Sequence, residues 1–308
     1  MKGPFFIVLA CFLWALDTLI RYPLLSKGFS AGSIVFFEHL ILSLFLAPTL
    51  LRNRKIFWES KVSTIFYLVM IGVLGSALGT LAFTSAFGLI NPSFVILIQK
   101  WQPLVAILMA RILLGEKIGN KFLFLAALCF LGSLLVAHEH LPAFKDWLLA
   151  LGGLIEDHYI TPKEVKGWAL AGVAVIAWGS STVFGKKLAM EGFSPKNLMA
   201  FRFFFGLLGV IPVLIFSGEW NRELLSSEIH FYVKIVAMAL LSGILAMSLY
   251  YRGLERVPAR LSALLEMSFP FMAVIINWAV LNRPLDSLQL VGGGLLLGSA
   301  TIIQLKKY

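Results

Sequence analysis

Five formally charged residues lie well inside long apolar runs of this 308-residue chain: Asp17, Glu38, Lys100, Arg202 and Glu266. Charge set that deep in apolar sequence is costly unless it is paired or reached by water, so each residue marks an ion pair or a polar site. Two of them sit in polar interruptions that both end in proline, Gln99-Lys100-Trp101-Gln102-Pro103 and Glu266-Met267-Ser268-Phe269-Pro270. Arg21 follows Asp17 by one helical turn, a spacing that predicts an ion pair on one helix face. His39 adjoins Glu38 but points about 100° away around a helix. A satisfied polar contact is its expected role, with proton coupling as the alternative for a histidine or a buried carboxylate. Trp14, Trp101, Trp178 and Trp278 fall mid-run, away from the interfacial belt where tryptophan concentrates. Such rings either stack on an organic solute or cation or pack between helices. The candidates for substrate binding or gating are Trp14, Asp17, Glu38, His39, Gln99, Lys100, Trp101, Trp178, Ser181, Arg202, Tyr250 and Glu266.

The elements that must carry these residues are membrane spans. Hydrophobic residues make up 59% of the chain and charged residues 14%, with a mean hydropathy of +0.88, outside the range of soluble domains. Hydropathy windows predict ten helices, at 4–24, 31–51, 63–86, 93–114, 119–137, 168–188, 197–217, 231–252, 261–281 and 286–305. The fold class is therefore all-α and polytopic. Lys2 precedes an apolar run that continues past Trp14 and Asp17 without a cleavage site, so that run reads as a retained first span. Lysines and arginines gather in alternate connections (Arg52, Arg54, Lys55 and Lys61; Lys186, Lys187 and Lys196), about twofold over the other set, which predicts both termini in the cytoplasm. These loops also account for the net charge of +10 without any nucleic-acid partner, since no basic stripe or binding motif accompanies them.

The two halves resemble each other. At an offset of 164, Trp14 meets Trp178, Thr18 meets Thr182, Gly28-Phe29-Ser30 meets Gly192-Phe193-Ser194 and Pro48 meets Pro212; at 167, Pro103 meets Pro270. Residues 1–137 and 167–308 thus read as two five-helix repeats joined by a polar linker, 138–166. An odd number of spans per repeat makes the second copy enter from the opposite side, an inverted arrangement common in transporters with a midplane site. Matching depths along the helices predict a Glu38–Lys100 pair in the outer half and an Arg202–Glu266 pair in the inner half. These are either gates or structural ties.

Other features carry less. Gly75/Gly79 and Gly294/Gly298 have the spacing of close helix contacts. Cys11 and Cys129 lie in apolar runs and read as buried thiols. His138-Glu139-His140 and His158 have no recognisable metal-site spacing and read as solvated linker, while 146–154 could form an interfacial helix. No phosphate-cradling loop and no hydrolase arrangement occurs, so an enzyme is not expected, and no cofactor or metal is assigned.

The chain resembles the drug/metabolite transporter superfamily in its ten-span EamA-type branch. The resemblance rests on Trp14 and Trp178, on Gly28-Phe29-Ser30, and most specifically on Pro103 followed by Leu113-Leu114-Gly115-Glu116-Lys117 and a glycine-containing helix with Gly132. The second copy departs from that signature, reading Val280-Leu281-Asn282-Arg283-Pro284 after Pro270. The resemblance implies a multi-pass protein of the bacterial cytoplasmic membrane in which the first four helices of each repeat surround a cavity and the fifth and tenth pack at the periphery. The expected function is secondary transport of a small organic metabolite, as exporter or exchanger, with amino acids or related zwitterions leading. An adenosyl-type metabolite such as S-adenosylmethionine, or passive channel activity, stands as the alternative. Expected partners are the small-molecule substrate and membrane lipid, and a homodimer is the assembly to be weighed.

Overall fold

The computed structural model describes residues 2–140, 161–217, 229–281 and 286–307, and these form helices and short connections with no strand among them. In chain order the helices are α1 (Lys2–Ser26), α2 (Ala31–Arg52), α3 (Val62–Leu89), α4a (Pro92–Gln99), α4b (Gln102–Leu114), α5 (Asn120–Val136), α6 (Pro162–Met190), α7 (Pro195–Ser217), α8 (Ile229–Leu254), α9a (Ala259–Glu266), α9b (Ser268–Leu281) and α10 (Ser287–Lys306). Among the described residues nine segments are long and apolar enough to cross a membrane, and the 17-residue α5 is a shorter apolar tenth. The chain is an all-α polytopic membrane protein. Large apolar side chains such as Leu44, Phe45, Leu108, Ile112, Phe124 and Phe216 stand exposed on its outside, as a lipid-facing wall requires. The short helix Arg54–Glu59 is an addition to the expected set, and the interfacial helix expected at 146–154 lies outside the described residues.

Local chemistry sets the ends. The Ser30 hydroxyl accepts the Ser33 amide at the start of α2. Thr161 and Glu164 form a capping box with Pro162 at the first helical position, so α6 begins six residues before the hydropathic run at 168. Gly28 and Gly192, from the matched Gly-Phe-Ser tripeptides, both take the left-handed φ that their turns need, 91° and 92°.

Four spans are irregular, and the irregularities face inward. Spans four and nine break at Lys100-Trp101 and at Met267, where Trp101 and Met267 bond back only three residues, to Ile98 and Leu264. Pro103 and Pro270 cause this, because each lacks an N–H and its ring bars the carbonyl four residues earlier. α3 and α8 each contain a π-helical turn, Val73–Leu78 and Ala239–Ala246, of the kind often found at functional positions.

The halves interlock. α1 packs on α8 and α9b, α6 packs on α3 and α4b, α2 packs on α7, and α5 packs on α10. In the last pair a Cβ on Gly132 would lie 2.6 Å from the Gly292 carbonyl oxygen, and one on Gly292 would lie 2.6 Å from that of Gly132. The close contact of α10 is therefore made by Gly292, and Gly294 and Gly298 look into open space, contrary to their spacing. Gly75 and Gly79 do make the expected close approach, against Ser181 and Trp178.

Candidate functional site

A cavity of about 240 Å³ lies between the halves, lined by residues from α1 to α4b and from α6 to α9b, together with Ser133 of α5. Its walls carry most of the sequence-derived candidates: Trp14, Asp17, Glu38, His39, Gln99, Lys100, Trp178, Ser181, Arg202, Tyr250 and Glu266. Trp101 is not among them. It lies in the break of span four and turns away from the cavity, 51% exposed, with its ring edge-on against Phe130 at 5.6 Å. Trp278 faces outward as well, with 51% exposure. Helix phase, which apolar sequence on every face conceals, separates these two rings from the cavity pair.

Trp14 and Trp178 are held alike. The Trp14 indole N–H donates to the Ser242 carbonyl at 3.3 Å, and that of Trp178 donates to the Gly75 carbonyl at 3.0 Å. Each acceptor lies in a π-helical turn of the opposite half, where the widened backbone exposes a carbonyl for a side chain to satisfy. The rings pack on further aromatics, Trp14 on Tyr250 at 5.4 Å and Trp178 on Phe83 at 4.9 Å.

The charged residues pair differently from the depth argument. Glu38 accepts from Arg21 at 2.9 Å and from the Ser242 hydroxyl at 3.3 Å, and Arg21 also binds Asp17 at 2.8 Å. The Asp17–Arg21 pair expected one turn apart is present and extends to Glu38. The expected Glu38–Lys100 pair does not form: Lys100 is 3% exposed and donates to the Ser133 hydroxyl at 2.7 Å. The expected Arg202–Glu266 pair does not form either. Arg202 donates to Ser181 at 2.9 Å, to Tyr251 at 3.3 Å and to the Gly75 carbonyl at 2.6 Å. Glu266 accepts from Thr182, Tyr250, Ser262 and Gln102, at 3.2, 3.0, 3.3 and 2.7 Å. Depth fixes a residue's height but not its direction around the helix, and neutral hydrogen bonds stabilise a buried ion without an opposite charge.

His39 has both ring nitrogens occupied. Nδ1 donates to the Val35 carbonyl and Nε2 faces the Ser76 hydroxyl, each at 2.8 Å. This arrangement suits the neutral imidazole protonated on Nδ1. Sequence reasoning passed over Arg21 as a cavity residue, and also Phe83, Thr84, Gln102, Ser133 and Ser242. Gln102 was within sight, since it belongs to the same polar interruption as Lys100.

Away from the cavity, the end of α5 meets the start of α10. His138 Nε2 lies 3.2 Å from Asp286 Oδ2, and Gln289 donates to Glu139 at 3.1 Å. The ligand atoms of His138, Glu139 and Asp286 lie within 4.8 Å of one another, so residues read as free linker are joined to the last helix. His158 and the rest of 141–160 lie outside the described residues.

The EamA-like transporter family matches residues 1–137 and 165–305, nearly the whole chain. The protein belongs to the EamA-like transporter family. The chain is 28% identical to the riboflavin transporter ImpX of Fusobacterium nucleatum over all of this chain and 98% of that one. It is 24% identical to the uncharacterized transporter YyaM of Bacillus subtilis over 81% of this chain and 77% of that protein. Identity to the protein LicB of Haemophilus influenzae is 22%, over 99% and 98% of the two chains. A crystal structure superposes with a TM-score of 0.71 at 15% identity, covering 99% of this chain and 96% of the other, and so shares the fold. The chain is thus a small-molecule transporter of the EamA-like type, with its cavity between the two matched segments.

Proposed function

We propose that this EamA-like protein is a secondary transporter of a solute built on a planar heteroaromatic ring, of the riboflavin type. In this reading two inverted repeats, 1–137 and 167–308, rock about the cavity, with both termini on the cytoplasmic side of a bacterial inner membrane. The observation that carries it is the pair Trp14 and Trp178, each fixed by one indole hydrogen bond and each backed by a second aromatic ring in the cavity wall. Rigid rings preset in this way stack on a flat solute at little cost in conformational entropy. The relative named as a riboflavin transporter, similar over its full length, points to the same class of cargo.

A second reading is a zwitterionic amino acid. It is favoured by Lys100 and Glu266, which line one cavity and have no partner of opposite charge among the described residues. Counterflow in proteoliposomes separates the readings. Vesicles preloaded with riboflavin, with an amino-acid mixture or with S-adenosylmethionine would each be tested for uptake of the labelled counterpart, with and without a pH gradient. Saturable exchange of riboflavin alone supports the ring reading, and exchange of amino acids alone overturns it. Flux that does not saturate in any arm would indicate a channel.

A further inference from the structure

The polar atoms of the cavity wall fall into two groups, those already satisfied by the protein and those with capacity left. Glu266 accepts four hydrogen bonds and Arg202 donates three. Both nitrogens of His39 are engaged, and Glu38 is held by Arg21 and Ser242. Besides Asp17 and Arg21 on α1, capacity is left on three residues of spans three and four. The Thr84 hydroxyl is fully buried, at 0% exposure, and has no partner. Gln99 donates its Nε2 to the Ala171 carbonyl at 3.2 Å, which fixes the orientation of the amide and leaves Oε1 as a buried acceptor without a partner. Lys100 uses one of its three N–H donors, on Ser133. Buried polar groups left in this state cost stability, so beside a cavity of this size they are completed by water or by a solute that displaces it.

We propose that Thr84, Gln99 and Lys100 form an edge that recognises an imide, the carbonyl, N–H, carbonyl sequence found on a flavin or uracil ring. The proposal rests on the heteroaromatic reading above and names the part of the ring that is read. All three line the one cavity, where Lys100 and Thr84 would supply donors for the two carbonyls and Gln99 Oε1 would accept the ring N–H. An amino acid's carboxylate would set a negative oxygen against Gln99 Oε1. The amino edge of an adenine carries one donor and one acceptor, which leaves either Thr84 or Lys100 unmatched. The remaining unpartnered cavity atoms, Asp17 Oδ1 and Arg21 Nη1, lie on α1 and offer one acceptor and one donor, a pattern suited to hydroxyl groups on the solute's side chain.

The experiment uses the purified full-length protein in proteoliposomes, with labelled riboflavin as the transported probe and unlabelled analogues as competitors. 3-Methylriboflavin keeps the ring and the hydroxylated chain and loses only the imide N–H. It is expected to compete roughly ten- to a hundredfold more weakly than riboflavin, the effect of leaving one buried acceptor unpaired. Gln99→Leu should weaken riboflavin and bring the ratio between the two compounds close to one, which a merely structural role for Gln99 would not do. Equal competition by the methylated analogue in the wild type overturns the edge while leaving the ring reading intact. If riboflavin is neither exchanged nor bound, the flavin reading itself fails. In that case competition by uridine but not by 3-methyluridine for whichever solute is exchanged would still support the edge, and equal competition by the two would overturn it.

Discussion

The Trp178 indole and the Gly75 carbonyl are joined by a 3.0 Å hydrogen bond, and the same carbonyl takes a second bond, from Arg202 Nη2 at 2.6 Å. Gly75 is therefore where an aromatic wall residue, a buried cation and the π-helical turn of α3 converge. It must also be glycine, because an added Cβ would lie 1.9 Å from Ser181 Oγ and 2.4 Å from Ser181 Cβ. Gly75→Ala is expected to force these helices apart, at a cost of about 1–3 kcal/mol or more. The purified protein should show a clear fall in melting temperature and lose exchange activity. Gly88→Ala is the control, since nothing lies within 4 Å of a Cβ there, and it should leave both quantities unchanged.

A ring that binds solute can be told from one that only braces helices by replacing it in two ways. Trp178→Phe keeps an aromatic face and loses the bond to Gly75, whereas Trp178→Leu loses both. Stacking on a planar base contributes about 1–3 kcal/mol. Trp178→Leu should therefore weaken solute binding roughly tenfold or more, and Trp178→Phe by clearly less. Tryptophan-fluorescence or scintillation-proximity titration would measure this, and equal losses in the two variants would assign Trp178 to packing.

The ion pairs lend themselves to double-mutant cycles. Arg21 faces both Asp17 and Glu38, so Arg21→Met strands two buried carboxylates and should cost about 3–5 kcal/mol, with Glu38→Gln recovering part of the loss. Coupling between Arg21 and Glu38 is expected to exceed about 1 kcal/mol, while Glu38→Gln and Lys100→Met should be additive within about 0.5 kcal/mol. Chemical denaturation in detergent or a bilayer mimic gives the numbers, and strong Glu38–Lys100 coupling would contradict the geometry.

These pairs also mark how far the sequence could be read. Hydropathy alone located ten spans, because a lipid-facing helix must be apolar along its length whatever it packs against. Pro103 and Pro270 marked the two polar interruptions, but spans 93–114 and 261–281 were read as continuous helices, and the breaks beside these prolines came from the structure. The repeat aligned Trp14 with Trp178, which proved to make matching bonds. Azimuth was not legible. In a helix apolar on all sides nothing in the sequence distinguishes the lipid face from the cavity face, so Trp101 stood among the candidates and Lys100 was paired by depth with Glu38. The π-helical turns were not legible either; each contains a glycine packed against the other half, Gly75 at Ser181 and Gly243 at Leu42. The close contact of α10 was likewise assigned by spacing to Gly294 and Gly298, whereas packing selects Gly292.

The Leu-Gly-Glu segment has a physical role that motif matching does not supply. Glu116 Oε1 accepts the Ala259 amide at 2.7 Å and Oε2 accepts the Arg260 amide at 3.1 Å, so a carboxylate from the first half caps the start of α9a in the second. The negative charge is favourable at that helix end, and Arg260 adds a bond to the Lys117 carbonyl. Gly3 packs against Val257 beside it, so the end of the bundle where the chain begins is closed by contacts between the halves. In the proposed alternating-access cycle these contacts break whenever the cavity opens to that side. Glu116→Ala should therefore shift the population toward the state open there. A cysteine placed at Ala263, on the cavity wall one turn into α9a, reports the shift through labelling by a membrane-impermeant maleimide. In the proposed orientation, with the termini in the cytoplasm, the variant should label faster than the Glu116 parent in inside-out vesicles and more slowly in right-side-out vesicles. Unchanged rates in both preparations, with normal expression, would show that the cap is local to α9a and does not control the opening.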